Sequence, residues 1–552
     1  MSEQIPNSKD EPLADERELK DKRSGDEREE LYKAIISAYP DHAALERVID
    51  YKLNENLDVI AGTGTHGDVV YRLIKWANAE GKLETLIVAL YNDKSSNQQL
   101  KAIKQKLLPN ASKPGNLTFD NVPITFSDRL RKLLPVSKRI TTVSVGVTAL
   151  VAVMRLFGIL QGAELWFFDQ MMQLQPIEEQ DQRLLVVEVT KKDIDNQKGF
   201  RQGSLTDETL LNLLNKLLQN QPRAIGLDIH RDFPTQTPKL FNLLKSNSPI
   251  FAVCNVGDLT QNNDGVKPPP EIPRERLGFS DSLSDSEGLV RRQILSMQTL
   301  ENSPCWSSDK KPVNTALSLE LARHYLNKPY EEPFKDEKIH LPLGNTAFEQ
   351  LYGPYRGGYS IWTDLYGYQL LLNYRRSCSE KNKNNCSPEF IAKKVSVEDV
   401  LKTDLLEKYS LKDRIVLIGV TDVSYEAPWF TPFSSAGNQP ISGVVMQAQM
   451  VSQILSAVLD KRPLLKVWSI WYEMLWIMFW SLVGGTIACL YPSNLCPSKR
   501  YLIIYGGIAF IGLCSCCFFF FISSIKWWVP FVPPTLALLG TEGIVVFIKL
   551  KI

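Results

Sequence analysis

The apolar positions of this chain fall into zones with different periods. Residues 1–25, "MSEQIPNSKDEPLADERELKDKRSG", are nearly all polar or charged and read as a disordered charged tail unable to bury a core. Residues 26–110 follow a helical period. "EREELYKAIISAY" sets Leu31, Ala34, Ile35 and Ala38 on one stripe, Pro40 and Asp41 break and cap, and "HAALERVIDYKL" repeats the stripe with Leu45, Val48, Ile49 and Leu53. "DVVYRLIKWANAEG" lines up Val69, Val70, Leu73, Ile74 and Ala77 before a stop at Gly81, and "LETLIVALY" and "NQQLKAIKQKLL" supply two more helices. The expectation is a small all-α bundle. From residue 184 short apolar runs alternate with helical patterns: "LLVVEVT", then "TDETLLNLLNKLLQN" capped by Thr206, then "AIGLDI", "LFNLLKSN" and "PIFAVCN", and later "RIVLIGV" and "VVMQAQMVSQILSAV". Such alternation predicts an α/β layer with a largely parallel sheet.

Four further stretches are apolar over the roughly 20 residues that a bilayer crossing needs: 140–162, 468–490, 501–524 and 527–548. Arg155 interrupts the first, Glu473 and Glu542 sit near the ends of theirs, and Trp468, Trp471, Tyr472, Trp527 and Trp528 form interfacial belts. Arg129, Arg131, Lys132, Lys138 and Arg139 precede the first span in a basic linker, 111–139. Lys499 and Arg500 close the loop between the second and third spans, and Lys549 and Lys551 follow the last. The positive-inside rule then places both termini in the cytoplasm and residues 163–467 outside, in a multi-pass inner-membrane protein. No charged region followed by an apolar one opens the chain, so no cleavable signal peptide is expected.

With 63 basic against 62 acidic residues the net charge is +1, which argues against a nucleic-acid partner. All nine cysteines follow residue 250. Cys378 and Cys386 flank "SEKNKNN"; they either bridge it in an oxidising compartment or stay reduced.

Candidate chemistry is sparse. "GTGTHGDVV" places Gly62, Gly64 and Gly67 at the spacing of a dinucleotide fingerprint, but the residues before it, Leu53, Leu57 and Ile60, are spaced as a helix. The required strand is missing, so the glycines make a turn between helices and no cofactor is expected. His230, His324 and His340 form no metal-ligand spacing, and no nucleophile elbow or phosphate loop occurs. Polar residues at strand ends remain as ligand-binding candidates: Asp228, His230, Arg231 and Asp232 in "LDIHRD", Asp285, Arg291 and Arg292 in "SDSEGLVRR", Arg375 in "NYR" and Asp422 after "VLIGVT". Ligands of α/β sheets bind beyond the carboxyl ends of strands, where Asp228, Asp232 and Asp422 would border a crevice. The competing reading is that these acids and arginines pair with one another to hold loops.

Two resemblances add to this. "LYKAIISAYP", "LERVIDYKLNENLDVIA" and above all "LIKWANAEGKLETLI" resemble a bacterial effector-associated domain of the first class. That resemblance implies a death-domain-like helical bundle, an adaptor without chemistry of its own that recruits effector proteins carrying a matching domain. "LQGAELWFFDQMMQLQP", "LLVVEVTKKDI", "RAIGLDIHRDFP", "RLGFSDSLSDSEGLVRR", "RIVLIGVTDVSYEAPWFTP" and "SGVVMQAQMVSQIL" resemble, in order, an extracytoplasmic sensor domain of the second CHASE class. That family implies one membrane span before the sensor and three after it, usually followed by a cytoplasmic output. The chain ends at Ile552, so the output is expected to be the N-terminal adaptor. Where the family often has a histidine before the last helix, this chain has Gln447. The expected protein is a non-enzymatic homodimeric membrane receptor for an unknown external ligand. The alternatives are an enzyme using Asp228 and Asp232 as paired carboxylates and a passive scaffold that binds cell-wall material.

Overall fold

The computed structural model describes residues 27–53, 55–108, 126–197, 205–246, 249–257, 264–328, 340–402, 410–434, 440–490 and 499–551. The tail 1–25 and residues 111–125 of the expected linker lie outside the described residues. The chain divides into two compact units, Met1–Arg131 and Lys132–Ile552.

In the first unit helices α1 (27–38), α2 (His42–Leu53), α3 (Leu57–Ala61), α4 (His66–Ala79), α5 (Leu83–Asp93) and α6 (Gln98–Leu107) enclose one core. The stripes read from the sequence face inward: Leu31, Ile35, Leu45, Ile49, Val70, Leu73, Leu90 and Leu100 are buried together. Tyr39 closes the bundle by donating to Leu90 O at 3.2 Å and to Asp93 Oδ2 at 2.9 Å. Gly62 and Gly64 lie between α3 and α4, where Gly62 has φ 67° and the Thr65 side chain caps α4 by accepting from Asp68 N, and Gly67 falls in the first turn of α4. A helix runs into Gly62 and Gly64, so they serve as a turn.

The second unit is built on a six-stranded parallel sheet. Its strands are β1 (Leu184–Val189), β2 (Ala224–Asp228), β3 (Ile250–Cys254), β4 (Leu277–Phe279), β7 (Lys393–Ser396) and β8 (Ile415–Val420), in the order β7-β1-β8-β2-β3-β4. The period of two divides each strand between two cores. Leu185, Val187 and Val189 face helices α9 (Asp207–Gln219) and α10 (Pro238–Lys245). Leu184 and Val186 face α11 (Leu317–Tyr325) and α12 (Gly443–Leu459). Two further strands, β5 (Val290–Ser296) and β6 (Tyr368–Leu371), pair antiparallel. The sequence pattern missed β5 because Arg291 and Arg292 interrupt it, yet every residue of this strand is buried. Disulfides join Cys254 to Cys305 and Cys378 to Cys386, while Cys489, Cys514, Cys516 and Cys517 are not disulfide-bonded.

The apolar helices depart from the expected spans in length. α7 (Phe126–Leu156) begins inside the stretch read as linker and stops short of residue 162. The chain then turns by 82° into α8 (Gln161–Gln173). α13 (Ile470–Leu490) and α14 (Lys499–Ile522) are long and apolar enough to cross a membrane. Trp527 and Trp528, expected inside the last span, instead form a short strand against Lys466 and Val467. α15 (Val532–Lys551) therefore starts later, and its apolar part, Val532–Ile548, is shorter than the usual crossing. By length and composition there are, among the described residues, two such spans, or three if the bent pair α7–α8 counts as one, against the four expected. Glu542 lies midway along α15, facing Gly506 of α14, and not near the end of its span.

α13 and α15 meet at Gly484, where a Cβ would stand 2.1 Å from Leu538 O. Beside it Ser481 Oγ and Thr541 Oγ1 are 2.6 Å apart, and Ser481 also donates to Ser144 O of α7 at 3.3 Å. Small residues that let backbones approach, with hydroxyls bridging, are the means by which helices associate in lipid. The opposite faces carry exposed apolar side chains, among them Leu150, Leu475, Ile503, Ile511, Leu539 and Phe547.

Gly484→Leu forces a side chain into the Leu538 backbone and is expected to cost more than the roughly 1–3 kcal/mol of ordinary overpacking, seen as a lower Tm of the detergent-solubilised chain. Cys305→Ser opens a link between residues 51 apart, and thermal unfolding is expected to show a loss of about 4 kcal/mol.

Candidate functional site

A cavity of about 380 Å³ lies beyond the carboxyl ends of β8, β2 and β3. Asp228 and His230 enter it from the end of β2, Val420 from β8, Asn255 from β3, and Ser280 and Ser282 from the segment after β4. Tyr425, Glu426 and Trp429 reach it from the loop after β8, and Gly443 and Gln447 from the first turns of α12. Parallel strands end on one side, so the topology alone assembles these groups.

Glycine sets the distances. Gly419 of β8 pairs with Asp228 of β2, and a Cβ on it would meet Val444 Cβ at 2.6 Å, so α12 lies directly across the strand end. A Cβ at Gly443 would stand 2.2 Å from Glu426 Oε1 and 3.7 Å from Asp228 Oδ2, which places both carboxylates against the start of α12. Burial raises the Asp228 carboxyl well above the usual carboxylate range. Burial, and then the charge of Asp228, raises that of Glu426. Burial also lowers His230, opposed by Asp232. Gln447 is 3% exposed; its Nε2 donates to Ser280 O at 3.2 Å while its Oε1 has no hydrogen-bond partner among the described residues.

Of the residues marked from the sequence, Asp228 and His230 line this cavity and the others are placed elsewhere. Asp232 is exposed beside it. Asp422 accepts from Ser424 N at 2.9 Å and holds the turn after β8; that bond keeps its carboxyl below the usual range. Arg231 is buried against Asp207 and Leu205 O. Arg375 binds Ser456 Oγ at 2.8 Å and Glu179 O at 3.0 Å. The carboxylate beside Asp228 is thus Glu426, not Asp232. Glu426 went unmarked because it sits in an irregular loop, "SYEAPW", and Gln447 was marked only as a departure from the family pattern.

Asp285, Arg291 and Arg292 belong to a second, buried constellation. Arg291 forks onto Asp169 of α8 with two bonds of 2.8 Å and reaches Asp285 Oδ2 at 2.7 Å. Arg292 holds Asp285 Oδ1 at 2.8 Å and stacks over the Tyr359 ring, 4.7 Å to its centre. The two carboxylates push the Arg291 guanidinium up, against the effect of burial. The Tyr359 hydroxyl donates to Asp285 Oδ2 at 3.0 Å, and its carbonyl accepts from Arg155 Nη1 at 3.1 Å. Arg155, near the end of α7, is in turn paired at 2.8 Å with Glu473 in the first turn of α13. Arginine forks and hydroxyls thus join α7, α8, α13 and β5 in one network. A buried charge without a partner costs several kcal/mol, so these groups fix one another's positions. The reading in which acids and arginines hold the loops applies here.

A third contact anchors α15. Glu164 of α8 accepts from Phe531 N at 3.0 Å and Val532 N at 2.8 Å, capping the helix start.

Comparison with known proteins gives two matches. Residues 21–108 match the model of effector-associated domain 1, the helical bundle described above. Residues 147–486 match the model of the CHASE2 domain, from Val147 in α7 to Thr486 in α13, so the match includes both Arg155 and Glu473. No curated protein and no solved structure was found to match the chain. A CHASE2 match over more than half of the chain, carried by the α/β unit and its flanking helices, makes this protein a member of the CHASE2 domain family, a signalling sensor that also bears an effector-associated domain.

Proposed function

We propose that the protein is a bacterial inner-membrane receptor whose α/β domain binds a signal outside the cell and whose helical domain recruits an effector inside. The observation that carries this is the joining, in one chain, of a sensor domain and an effector-associated domain with membrane-type helices locked to the sensor by buried Arg155. The cavity at Asp228 and Glu426 is the signal site. From it α12 runs to Leu459, and only ten residues separate its end from Ile470, where α13 begins. Along α12 a stripe of buried amides grips the segment that follows β6: Gln453 Oε1 accepts from Asn373 N at 2.5 Å and Gln449 Oε1 from Arg375 N at 2.9 Å. A shift of α12 on ligand binding is passed to α13 and through Glu473 to α7. A ligand does this by binding one of two helix arrangements more tightly.

Four crossings are supported by the packing of α15 along α13 and α7, which gives the shorter helices the same small-residue interface as the longer ones. An Arg–Glu pair at the end of two such helices suits the headgroup level, where charge costs least. With four crossings both termini are cytoplasmic and residues 163–467 external, and the disulfides Cys254–Cys305 and Cys378–Cys386 fall on the oxidising side. The helical domain acts by homotypic docking, without catalysis or cofactor, and two copies of the receptor change their mutual geometry on signalling.

Three measurements test this. A reporter enzyme inserted near residue 300 is expected to be active only outside; activity in the cytosol overturns the topology. The full chain is expected to capture an effector with a matching domain from the cell of origin, and a chain lacking residues 26–110 to capture none. Arg155→Met leaves Glu473 buried and unpaired, a loss of about 3–5 kcal/mol. It is expected to lower Tm and to uncouple effector capture from the external signal.

A further inference from the structure

The cavity has one chemical bias. Asp228 and Glu426 face it with no Lys or Arg among the described residues that line it. The buried Gln447 presents an unused acceptor, Oε1, to the same space. Elsewhere in this unit two buried carboxylates, Asp169 and Asp285, have a guanidinium partner in Arg291. Two aromatic side chains complete the wall: Tyr425, exposed at the mouth, and Trp429. Among the described residues no group of three metal-type ligands converges, here or elsewhere. Acidic and amide acceptors beside aromatic rings match an organic ammonium group, which carries both the missing charge and the missing donors.

We propose that this cavity binds a small amine-bearing compound, its ammonium held between Asp228, Glu426 and Gln447 Oε1 and its carbon skeleton against Trp429. The assignment rests on the reading that the cavity is the receptor's signal site. The protonation of the acidic pair agrees with it. Two carboxylates this close and this buried hold on to protons, and an arriving cation favours their charged forms, so binding expels a proton to solvent. The other titratable groups around the pair are His230 at the end of β2, Tyr425 in the loop of Glu426, and Asp281 beside Ser280; burial raises Asp281 to about 6. Anions are disfavoured by the same groups.

The test is calorimetric titration of the full-length protein in lipid nanodiscs, in two mildly acidic buffers of different ionisation enthalpy. Diaminobutane is the cationic probe, butanediol its neutral analogue, succinate its anionic one, and calcium the metal. Diaminobutane alone is expected to bind, with proton release. Asp228→Asn and Glu426→Gln are each expected to weaken it by about tenfold or more, and Gln447→Met, which keeps the size of the side chain, by a few-fold. Equal binding of butanediol, preference for succinate or calcium, no binding of diaminobutane, or binding indifferent to all three substitutions would each overturn the assignment. If a carboxylate variant does not fold, quenching of Trp429 fluorescence by diaminobutane but not by butanediol supports the assignment in the unaltered chain, and equal quenching by both overturns it. Diaminobutane that binds as expected and leaves effector capture unchanged would instead overturn the receptor reading, with the binding site intact.

Discussion

Arg155 and Glu473 stand 318 positions apart in sequence and meet at 2.8 Å with almost no exposure to solvent. Neither charge is tolerable alone in such a place, since desolvation of an unpaired ion costs more than local packing returns. The pair therefore fixes where α7 and α13 cross, and Arg155 also donates from Nη1 to the Tyr359 carbonyl and from Nη2, which it shares with Glu473, to the Gly357 carbonyl in the α/β domain. Through Tyr359, Asp285 and Arg291 the same network reaches α8, which caps α15 with Glu164. The α/β domain and the apolar helices thus share one scaffold.

Packing reinforces the polar frame. The core on one face of the sheet, holding Leu184, Val186 and the inner side of α12, continues through Phe168 of α8 to Phe521, Trp528 and Leu538. Phe168 meets Phe521 edge-on at 5.5 Å and Trp528 at 4.6 Å. A core without a seam transmits displacement, because close-packed interiors rearrange between discrete states and do not yield gradually. The cavity is lined by the first turns of α12, a helix whose inner side belongs to this core. The opposite face, with α9 and α10, has its own core and plays no part in that connection.

Where the pattern was legible, a single period dominated. The helical stripes of the first unit, the strands Leu184–Val189, Ala224–Asp228, Ile250–Cys254 and Ile415–Val420, and the cap Thr206 all express local rules that short windows contain. Where it failed, long-range partners had altered those rules. β5 hides Arg291 and Arg292 in a fully buried strand because Asp169 and Asp285 neutralise them. Trp527 and Trp528 left their helix for a pairing with Lys466 and Val467, and Arg155, which looked like an interruption of a span, is its anchor.

The sequence by itself determined the order of units, the α/β class and the apolar stretches, since each rests on periodicity and composition over tens of residues. Only the tertiary structure decided which acids meet guanidinium groups and which do not. Asp285 and Asp228 look alike in the chain, yet one is met by two guanidinium groups and the other by Glu426 and an unused acceptor. That difference is electrostatic and depends on neighbours brought from distant segments, which no window of sequence holds.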